Sequence, residues 1–287
     1  MYRQIDTSEV LAVALEAGRA IMEIYERDFA VEYKEDDSPL TEADRKAHEI
    51  ITEGLNKIGT RSPEPGTLKS ALPILSEEGR DIPYEERKEW EYFWMVDPID
   101  GTKEFIKKNG EFTVNFALIH RDTPVLGVVY APALGEIYWA KKGEGAWKAP
   151  VDSQWSIIDS EKKKLPLKNS TFNIQHSTLT IVASKSHLNE ETQKFIDNVT
   201  RSTEHITLIS RGSSLKLLMV AEGSADIYPR LAPTMEWDTA AADAIVREAD
   251  GEVKQVHPDL GESMEAVRYN KKELLNPWFI VEMVGKD

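Results

Sequence analysis

The chain contains no cysteine, so disulfides, thiolate catalysis and zinc–thiolate sites are all excluded. It also has no apolar run near the ~20 residues that a membrane-spanning helix requires, so an integral membrane protein is not expected. The opening residues, "MYRQIDTSEV", lack the basic-then-apolar order of a secretory signal. We therefore expect a cytoplasmic address and leave open a peripheral association with a membrane.

Basic residues are also scarce: 35 Lys and Arg stand against 50 Asp and Glu, which gives a net charge of −15. No basic stripe offers a landing surface for a phosphate backbone, so nucleic-acid binding is not expected. An acidic protein can still act on a small anionic substrate if it first recruits cations. A small molecule is therefore the favoured partner, and the pattern does not distinguish a monomer from a homodimer.

Apolar residues are plentiful enough to build a core, because they make up 41% of the 287 residues. The stretch 151–177 is polar and rich in Lys, and it is the best candidate for a connection between two halves. We predict an α+β half over residues 1–165 that binds metal, followed by an α/β half over residues 166–287 that binds substrate.

In the first half, two helical patterns precede a series of short strands. Apolar residues recur at helical spacing over 8–28, with Ser8 as the capping residue, and again over 41–58. The run "EYFWMV" predicts a buried strand over 91–96 that ends just before Asp97. The runs "FTVNFALIH", "PVLGVVYAP", "GEIYWA" and "GEGAWK" follow with brief links and predict an antiparallel meander.

In the second half, strand-like and helix-like runs alternate, which is typical of an α/β layer. Strands are predicted for "TLTIVAS", "HITLIS", "ADIYP" and "WFIVEMV". Helices are predicted for "NEETQKFIDNV", "SSLKLLMVAEG" and "DTAAADAIVREAD".

Acidic residues are concentrated near predicted strand ends. Asp97 and Asp100 flank a Pro-Ile pair where a buried strand opens into a turn, and Gly101 lets the backbone pass close to a ligand. Such a turn can aim both carboxylates and the Ile99 carbonyl at one point. Oxygen ligands of this kind suit a hard divalent cation such as Mg²⁺.

Two further acidic segments fit the same site. Glu77 and Glu78 follow the apolar run "LPIL", and Asp238 follows a Trp in "EWDTAAADAI", at the predicted start of a helix. Each acid taken singly has a structural explanation, as a turn former, an N-cap or a solvated charge. Taken together, the clusters are better explained by a shared cation site.

Asp44 has two interpretations that the sequence leaves open. The segment "TEAD" fits a capping box, in which Asp44 serves the start of the second helix, and this is the simpler explanation. In the functional alternative, Asp44 pairs with the hydroxyl of Thr102 and orients a water molecule for attack.

These motifs resemble a known family. The segments "SEE", "DPIDGTKEF" and "WDTAAADA" are similar to signature elements of the inositol-monophosphatase-like superfamily of Mg²⁺-dependent, lithium-sensitive phosphatases. Within it, "DPIDGTKEFIKKNGEFTVNFALI", "GSSLKLLMVAEGSADIYPR" and "EWDTAAADA" most resemble the 3′(2′),5′-bisphosphate nucleotidases of the CysQ type. The resemblance is collinear from the first helix to the helix after Asp238.

The resemblance implies an α/β-class, layered αβαβα sandwich with the site between its two halves. It implies that two or three Mg²⁺ ions are held at the matching metal positions, namely Glu77, Asp97, Asp100, Asp238 and the carbonyl of Ile99, with Glu78 further out. It also implies that Asp44 and Thr102 activate the attacking water, a role that Asp44 can combine with capping of the helix. We therefore expect direct hydrolysis without a phosphoenzyme.

The resemblance also implies which residues contact the substrate: Gly101, Thr102, Ser184, His187, Ser213, Lys216, Arg230 and Asp238. A helix that begins with Gly and Ser, with a Lys nearby, is a natural anion site. Three of these residues also have an ordinary structural explanation: His187 as a residue flanking a helix, Lys216 as a solvated helix charge and Ser213 as a cap. The expected reaction is hydrolysis of the 3′-phosphate of adenosine 3′,5′-bisphosphate to AMP and phosphate.

Three alternatives stay open. An inositol or sugar monophosphatase would share the metal motifs. A phosphatase of the haloacid-dehalogenase class also ends its nucleophile motif in D-G-T, but its acids are two positions apart, whereas Asp97 and Asp100 are three apart. A non-catalytic cation-binding protein is disfavoured because Asp44 and Thr102 accompany the metal-type acids.

Overall fold

Two β-sheets and the helices that cover them make up the structure. The computed structural model describes residues 2–34, 39–60, 71–167, 178–184, 189–203, 205–257 and 261–284. In these ranges the α-helices are α1 Thr7–Tyr25, α2 Glu42–Thr60, α3 Tyr84–Arg87, α4 Thr102–Ile106, α5 Glu190–Ser202, α6 Leu215–Glu222 and α7 Ala240–Glu248. No helix in these ranges is long and apolar enough to cross a membrane.

The strands form one hairpin and two larger sheets. The hairpin joins β1 Val31–Tyr33 to β2 Pro39–Thr41. The strands of the first large sheet are β3 Ile74–Ser76, β4 Tyr92–Asp100, β5 Thr113–His120, β6 Thr123–Ala131, β7 Glu136–Lys141, β8 Gly145–Pro150 and β9 Lys163–Lys164. The strands of the second are β10 Thr178–Ser184, β11 His205–Arg211, β12 Ile227–Arg230, β13 Gly251–His257, β14 Gly261–Ala266 and β15 Phe279–Met283.

The first large sheet has seven strands in sequence order, β3 to β9. β3 runs parallel to β4, and every later neighbour is antiparallel. The predicted antiparallel meander is therefore confirmed. The links are short, as expected for sequential strands that pair directly.

β4 extends further than the sequence predicted. The prediction that the strand ends before Asp97 is wrong, because Asp97 pairs with Asn115 and Asp100 pairs with Thr113. The register shifts between Asp97 and Asp100, so the Pro-Ile pair forms a bulge within the strand. A bulge re-aims neighbouring side chains, and here it lies between the two acids that were expected to converge.

The second large sheet is mixed, with the order β11-β10-β12-β15-β13-β14. Both neighbours of β10 are parallel to it, and the remaining pairs are antiparallel. All four predicted strands of this half are present. The β13–β14 hairpin was not predicted, because the segments around "GEVKQVHPDLGESMEA" are too polar to show a clear apolar alternation.

The layers stack in the order helix, sheet, helix, sheet, helix, which confirms the predicted sandwich. α1 and α2 cover one face of the seven-stranded sheet, while α6 and α7 lie between the two sheets. α5 packs on the outer face of the six-stranded sheet. Gly127 on β6 makes the close approach of α7 possible, since a Cβ there would lie 2.2 Å from the carbonyl oxygen of Ala241.

The cap of α1 differs from the prediction. Asp6, not Ser8, is the N-cap, and its carboxylate accepts hydrogen bonds from the Ser8 amide at 2.9 Å and the Ser8 hydroxyl at 2.7 Å.

The boundary between the two large sheets lies close to the predicted boundary between the halves, because β9 ends at Lys164 and β10 begins at Thr178. One buried cluster nevertheless contains residues of both halves, so the division at residue 165 stays a prediction.

Candidate metal and phosphate site

A cavity of about 210 Å³ lies where the two halves meet. Elements from both halves line it: the turn after β3, the end of β4, the start of α4, the loop before α6, the end of β12 and the loop before α7. The predicted residues that line it are Glu77, Asp100, Gly101, Thr102, Ser184, Ser213, Lys216, Arg230 and Asp238. His187 lies outside the described residues.

Three of the predicted metal ligands converge beside this cavity. Carboxylate oxygens of Glu77, Asp97 and Asp238 all lie within 4.8 Å of one another. Asp97 is 1% exposed on β4, Glu77 follows β3, and Asp238 precedes α7. Three carboxylates at this separation fit a divalent cation with oxygen ligands.

The electrostatics of these acids also fit a bound cation. Burial raises the pKa of Asp97 well above its usual value, and the charges of Glu77, Asp100 and Asp238 raise it further. Burial and Asp238 together raise the pKa of Asp100 to about 6. Burial and the neighbouring charges therefore both disfavour the ionised acids, and a divalent cation among them would offset both effects.

Lys34 supplies one positive charge at the edge of this cluster. Its Nζ lies 3.0 Å from Glu77 Oε1 and 2.5 Å from Glu78 Oε1. Burial alone lowers the pKa of Lys34, but the two glutamates raise it more, so the ammonium form is favoured. Lys34 thus pairs with both glutamates, and the place of Glu78 further from the metal stays a prediction.

Asp100 shares the cavity but is held separately from the three converging acids. Its Oδ2 accepts hydrogen bonds from Ser214 Oγ at 2.8 Å and Asn115 Nδ2 at 3.3 Å. Ser214 Oγ also lies 2.7 Å from the Asp238 carbonyl oxygen. One hydroxyl therefore connects the β4 acid to the segment that carries Asp238.

Asp238 is not the N-cap of α7, because that position belongs to Thr239 and the helix begins at Ala240. Its Oδ2 instead accepts hydrogen bonds from the Thr234 hydroxyl and, at 2.9 Å, from the Met235 amide. These bonds lower the pKa of Asp238, but burial raises it more. They also fix the orientation of the carboxylate at the cavity edge.

Asp44 makes both of the contacts that the sequence left as alternatives. Its Oδ2 accepts hydrogen bonds from the Thr41 amide at 2.7 Å and the Thr41 hydroxyl at 2.6 Å, which forms the capping interaction at the start of α2. Its Oδ1 lies 3.3 Å from Thr102 Oγ1. The Thr102 hydroxyl is also 3.2 Å from the Ile99 carbonyl oxygen. The two oxygens of one carboxylate thus serve different partners.

A cationic group lies on the other side of the cavity. Lys216 is buried, and its Nζ donates to the Ser213 carbonyl and lies 5.6 Å from the centre of the Tyr228 ring. Burial lowers the pKa of Lys216 to about 8. Ser213 has a φ of +43°, and its hydroxyl is buried without a hydrogen-bond partner among the described residues.

Arg230 ends β12 beside this group. Its guanidinium donates to the Pro233 carbonyl oxygen at 2.7 Å, while its Nε is buried and unpartnered among the described residues. Unsatisfied donors of this kind are costly when they are buried without a ligand. Arg230 Nε and the Ser213 hydroxyl therefore indicate that this end of the cavity receives a polar group.

Several residues of the site were missed in the sequence. Ser214 lies next to the predicted residue Ser213. Asn115 could have been found, because it is a polar residue within the apolar strand "FTVNFALIH". Lys34, Thr234 and Tyr228 gave none, because their roles depend on contacts that only the folded chain creates.

The comparisons with known proteins agree with this geometry. A model of the inositol monophosphatase family matches residues 2–279, and the chain belongs to that family. The 3′(2′),5′-bisphosphate nucleotidase CysQ of Salmonella typhimurium is 42% identical over 277 residues, which cover 95% of this chain and 98% of that protein. CysQ of Escherichia coli K12 is 40% identical over 96% of this chain and 98% of its own length.

A solved structure shows the same similarity in three dimensions. CysQ from Bacteroides thetaiotaomicron, described as a bacterial member of the inositol monophosphatase family, superposes with a TM-score of 0.80 at 43% identity over 99% of both chains. The resemblance inferred from the motifs is therefore confirmed. Membership of this family excludes the haloacid-dehalogenase alternative.

Proposed function

We propose that this chain is a Mg²⁺-dependent phosphatase that hydrolyses the 3′-phosphate of adenosine 3′,5′-bisphosphate to give AMP and phosphate. The similarity to CysQ nucleotidases over nearly the whole chain supports this choice. The observation that carries it is the pairing of two unlike sites in one cavity. Carboxylates suited to a cation line the same cavity as the buried Lys216 and the Ser213 hydroxyl, which has no partner among the described residues, and this arrangement suits a substrate with two phosphates.

The metal would be held by the acids described above. The ligands in this proposal are Glu77, Asp97, Asp100, Asp238 and the Ile99 carbonyl, for two or three ions. Bound Mg²⁺ supplies charge neutralisation at the phosphoryl oxygens and makes water a better nucleophile. The raised pKa values of Asp97 and Asp100 support this assignment, because the acids need a cation to remain ionised together.

Thr102 and Asp44 would orient and deprotonate the attacking water. Thr102 Oγ1 accepts a hydrogen bond from the water while it donates its own hydrogen to Asp44 Oδ1, so the water's proton passes to Asp44. The water oxygen bonds to phosphorus as the bond from phosphorus to the 3′ oxygen breaks, and solvent protonates the leaving oxygen. This direct displacement has no phosphoenzyme.

At the other end of the cavity, Lys216 and Ser213 would bind the 5′-phosphate, with Arg230, Ser184 and His187 as further contacts. Gly101 belongs to the same surface: its φ is +94°, and a Cβ there would lie 3.1 Å from the Glu111 carbonyl oxygen and 3.3 Å from Ser213 Cβ. A side chain at this position would therefore press on Glu111 and on Ser213, one of the proposed 5′-phosphate contacts.

A panel of phosphate esters tests the proposal. We expect Mg²⁺-dependent phosphate release from adenosine 3′,5′-bisphosphate to exceed that from 3′-AMP, inositol 1-phosphate and a sugar phosphate, with EDTA and Li⁺ abolishing it. Faster release from the inositol or sugar ester would favour the monophosphatase alternative instead. Mg²⁺ binding with no release from any ester would identify a non-catalytic cation-binding protein.

Lys216→Ala separates the roles of the two ends of the cavity. We expect this variant to lose far more activity on adenosine 3′,5′-bisphosphate than on 3′-AMP, because only the first substrate has a second phosphate. Equal losses on both substrates would show that Lys216 does not contact the second phosphate.

A further inference from the structure

Glu111 connects the two ends of the cavity although it belongs to neither group of predicted site residues. It lies between α4 and β5 and is 6% exposed. Its Oε2 accepts a hydrogen bond from the Gly212 amide at 2.9 Å, across 101 residues of sequence. Its Oε1 lies 3.0 Å from Arg211 Nη1.

The loop that Glu111 holds carries the proposed phosphate contacts. Gly212 is followed by Ser213, which has a positive φ and a hydroxyl without a partner within the described ranges, and then by α6 with Lys216. The Lys216 ammonium donates to the Ser213 carbonyl, so both side chains depend on the path of this loop. A bond to the Gly212 amide therefore sets where the loop begins.

The backbone of Glu111 also touches the turn of the metal site. Its carbonyl oxygen would lie 3.1 Å from a Cβ on Gly101 and 2.8 Å from a Cβ on Gly212. Glu111 is thus packed between two glycines, one next to Asp100 and one next to Ser213. Neither glycine position has room for a side chain without movement of Glu111.

We propose that Glu111 is a positioning residue that sets the spacing between the two phosphate positions and thereby selects substrates with two phosphates. This inference rests on the proposed function. The hydrogen bond to the Gly212 amide carries the effect, because it is direct and shielded from water, so that only an acceptor oxygen at this position is needed. The pair with Arg211 contributes little, because the arginine side chain is 48% exposed.

The test compares three variants on two substrates that share the scissile phosphate. For Glu111→Ala we expect the KM for adenosine 3′,5′-bisphosphate to rise about tenfold, while kcat/KM for 3′-AMP stays within about twofold. Glu111→Gln retains an oxygen that can accept from the Gly212 amide, and we expect it to behave like the unmodified chain. Glu111→Asp is too short to reach that amide, and we expect it to resemble Glu111→Ala.

Glu248→Ala is the matched control, because Glu248 also accepts hydrogen bonds from two loop amides, Gly143 and Gly145, both at 3.0 Å. We expect it to leave the preference for the bisphosphate unchanged.

Equal losses on both substrates in Glu111→Ala, or a retained preference for the bisphosphate, would overturn this inference but not the proposed function. If Glu111→Ala does not fold, Glu111→Asp decides in the same way. If the unmodified chain itself does not prefer the bisphosphate, both the proposed function and this inference are wrong.

Discussion

The hydroxyl of Ser214 lies 2.8 Å from Oδ2 of Asp100, a residue 114 positions earlier in the chain. Ser214 Oγ is also 2.7 Å from the Asp238 carbonyl oxygen and accepts a hydrogen bond from Asn115 Nδ2 at 2.8 Å. Ser214 is 1% exposed, so these contacts are shielded from water. The orientation of Asp100 is therefore fixed by a residue of the second half.

Removal of this hydroxyl should weaken the metal site. We expect Ser214→Ala to lower kcat/KM ten- to hundredfold, which corresponds to about 1.5–3 kcal/mol for a buried hydrogen bond to a charged group. The Mg²⁺ concentration needed for half-maximal activity should rise with it, and an Mg²⁺ titration at saturating substrate measures this. Ser224→Ala is the control, because Ser224 is an exposed residue just after α6 whose hydroxyl bonds to Met219 O at 3.0 Å. An unchanged Mg²⁺ requirement in Ser214→Ala would contradict the expectation.

The proposed roles of Thr102 and Asp44 predict a different pattern at the catalytic step. We expect Thr102→Val to lower kcat by about 10²–10⁴-fold with little change in Mg²⁺ binding, because it removes the hydroxyl that relays the proton to Asp44. Thr102→Ser keeps the hydroxyl and should retain most activity. Isothermal titration with Mg²⁺ separates the two effects. Full activity in Thr102→Val would exclude the relay.

The local sequence was sufficient to identify acids near strand ends, because Gly, Pro and apolar runs mark those positions directly. It was not sufficient to place Asp97 within β4, because that depends on the bulge and on pairing with Asn115. The sequence analysis also missed Ser214, because nothing in the local sequence separates its role from that of the neighbouring Ser213, which was predicted as a substrate contact. The two serines point in different directions in the folded loop: the Ser213 hydroxyl has no partner in the part of the chain that the structure describes, while Ser214 bonds to Asp100.

The layers of the fold could be predicted from the motif resemblance and most of their helices and strands from apolar periodicity, but one pair of strands could not. The β13–β14 hairpin is paired by backbone hydrogen bonds, and polar residues outnumber apolar ones in β13, so its sequence lacks the clear alternation that marks a half-buried strand. Similarly, the capping box at Asp44 and its contact with Thr102 looked like alternatives. A carboxylate has two oxygens, and the structure uses one for each.

Metal-free protein should become less stable as the pH rises. The pKa of Asp100 is raised from 3.8 to about 6 in the folded chain, so between these values the folded state binds more protons than the unfolded state. Stability therefore falls as the pH rises through this window, and the full loss is present above about pH 6. We expect Asp100→Asn to be roughly 1–2 kcal/mol more stable than the unmodified chain in EDTA at pH 7.5, and not at pH 4.

Thermal melts check this expectation. In EDTA at pH 7.5 the Asp100→Asn variant should melt a few degrees higher, and Mg²⁺ should raise the Tm of the unmodified chain more than that of the variant. Asp159→Asn, at an exposed position, is the control and should change neither value. A Tm of the unmodified chain that does not respond to saturating Mg²⁺ would count against a metal site at these acids.

Lys216 predicts a pH dependence that only the two-phosphate substrate should show. Burial lowers the pKa of Lys216 to about 8, so the side chain is cationic below that pH and neutral above it. We expect the KM for adenosine 3′,5′-bisphosphate to rise as the pH increases through about 8, because the neutral amine no longer attracts the 5′-phosphate. The KM for 3′-AMP should not follow, and effects on the shared metal site cancel in the ratio of the two. Lys216→Arg stays charged over this range, so its ratio should be independent of pH; the same rise in that variant would assign the titration to another group.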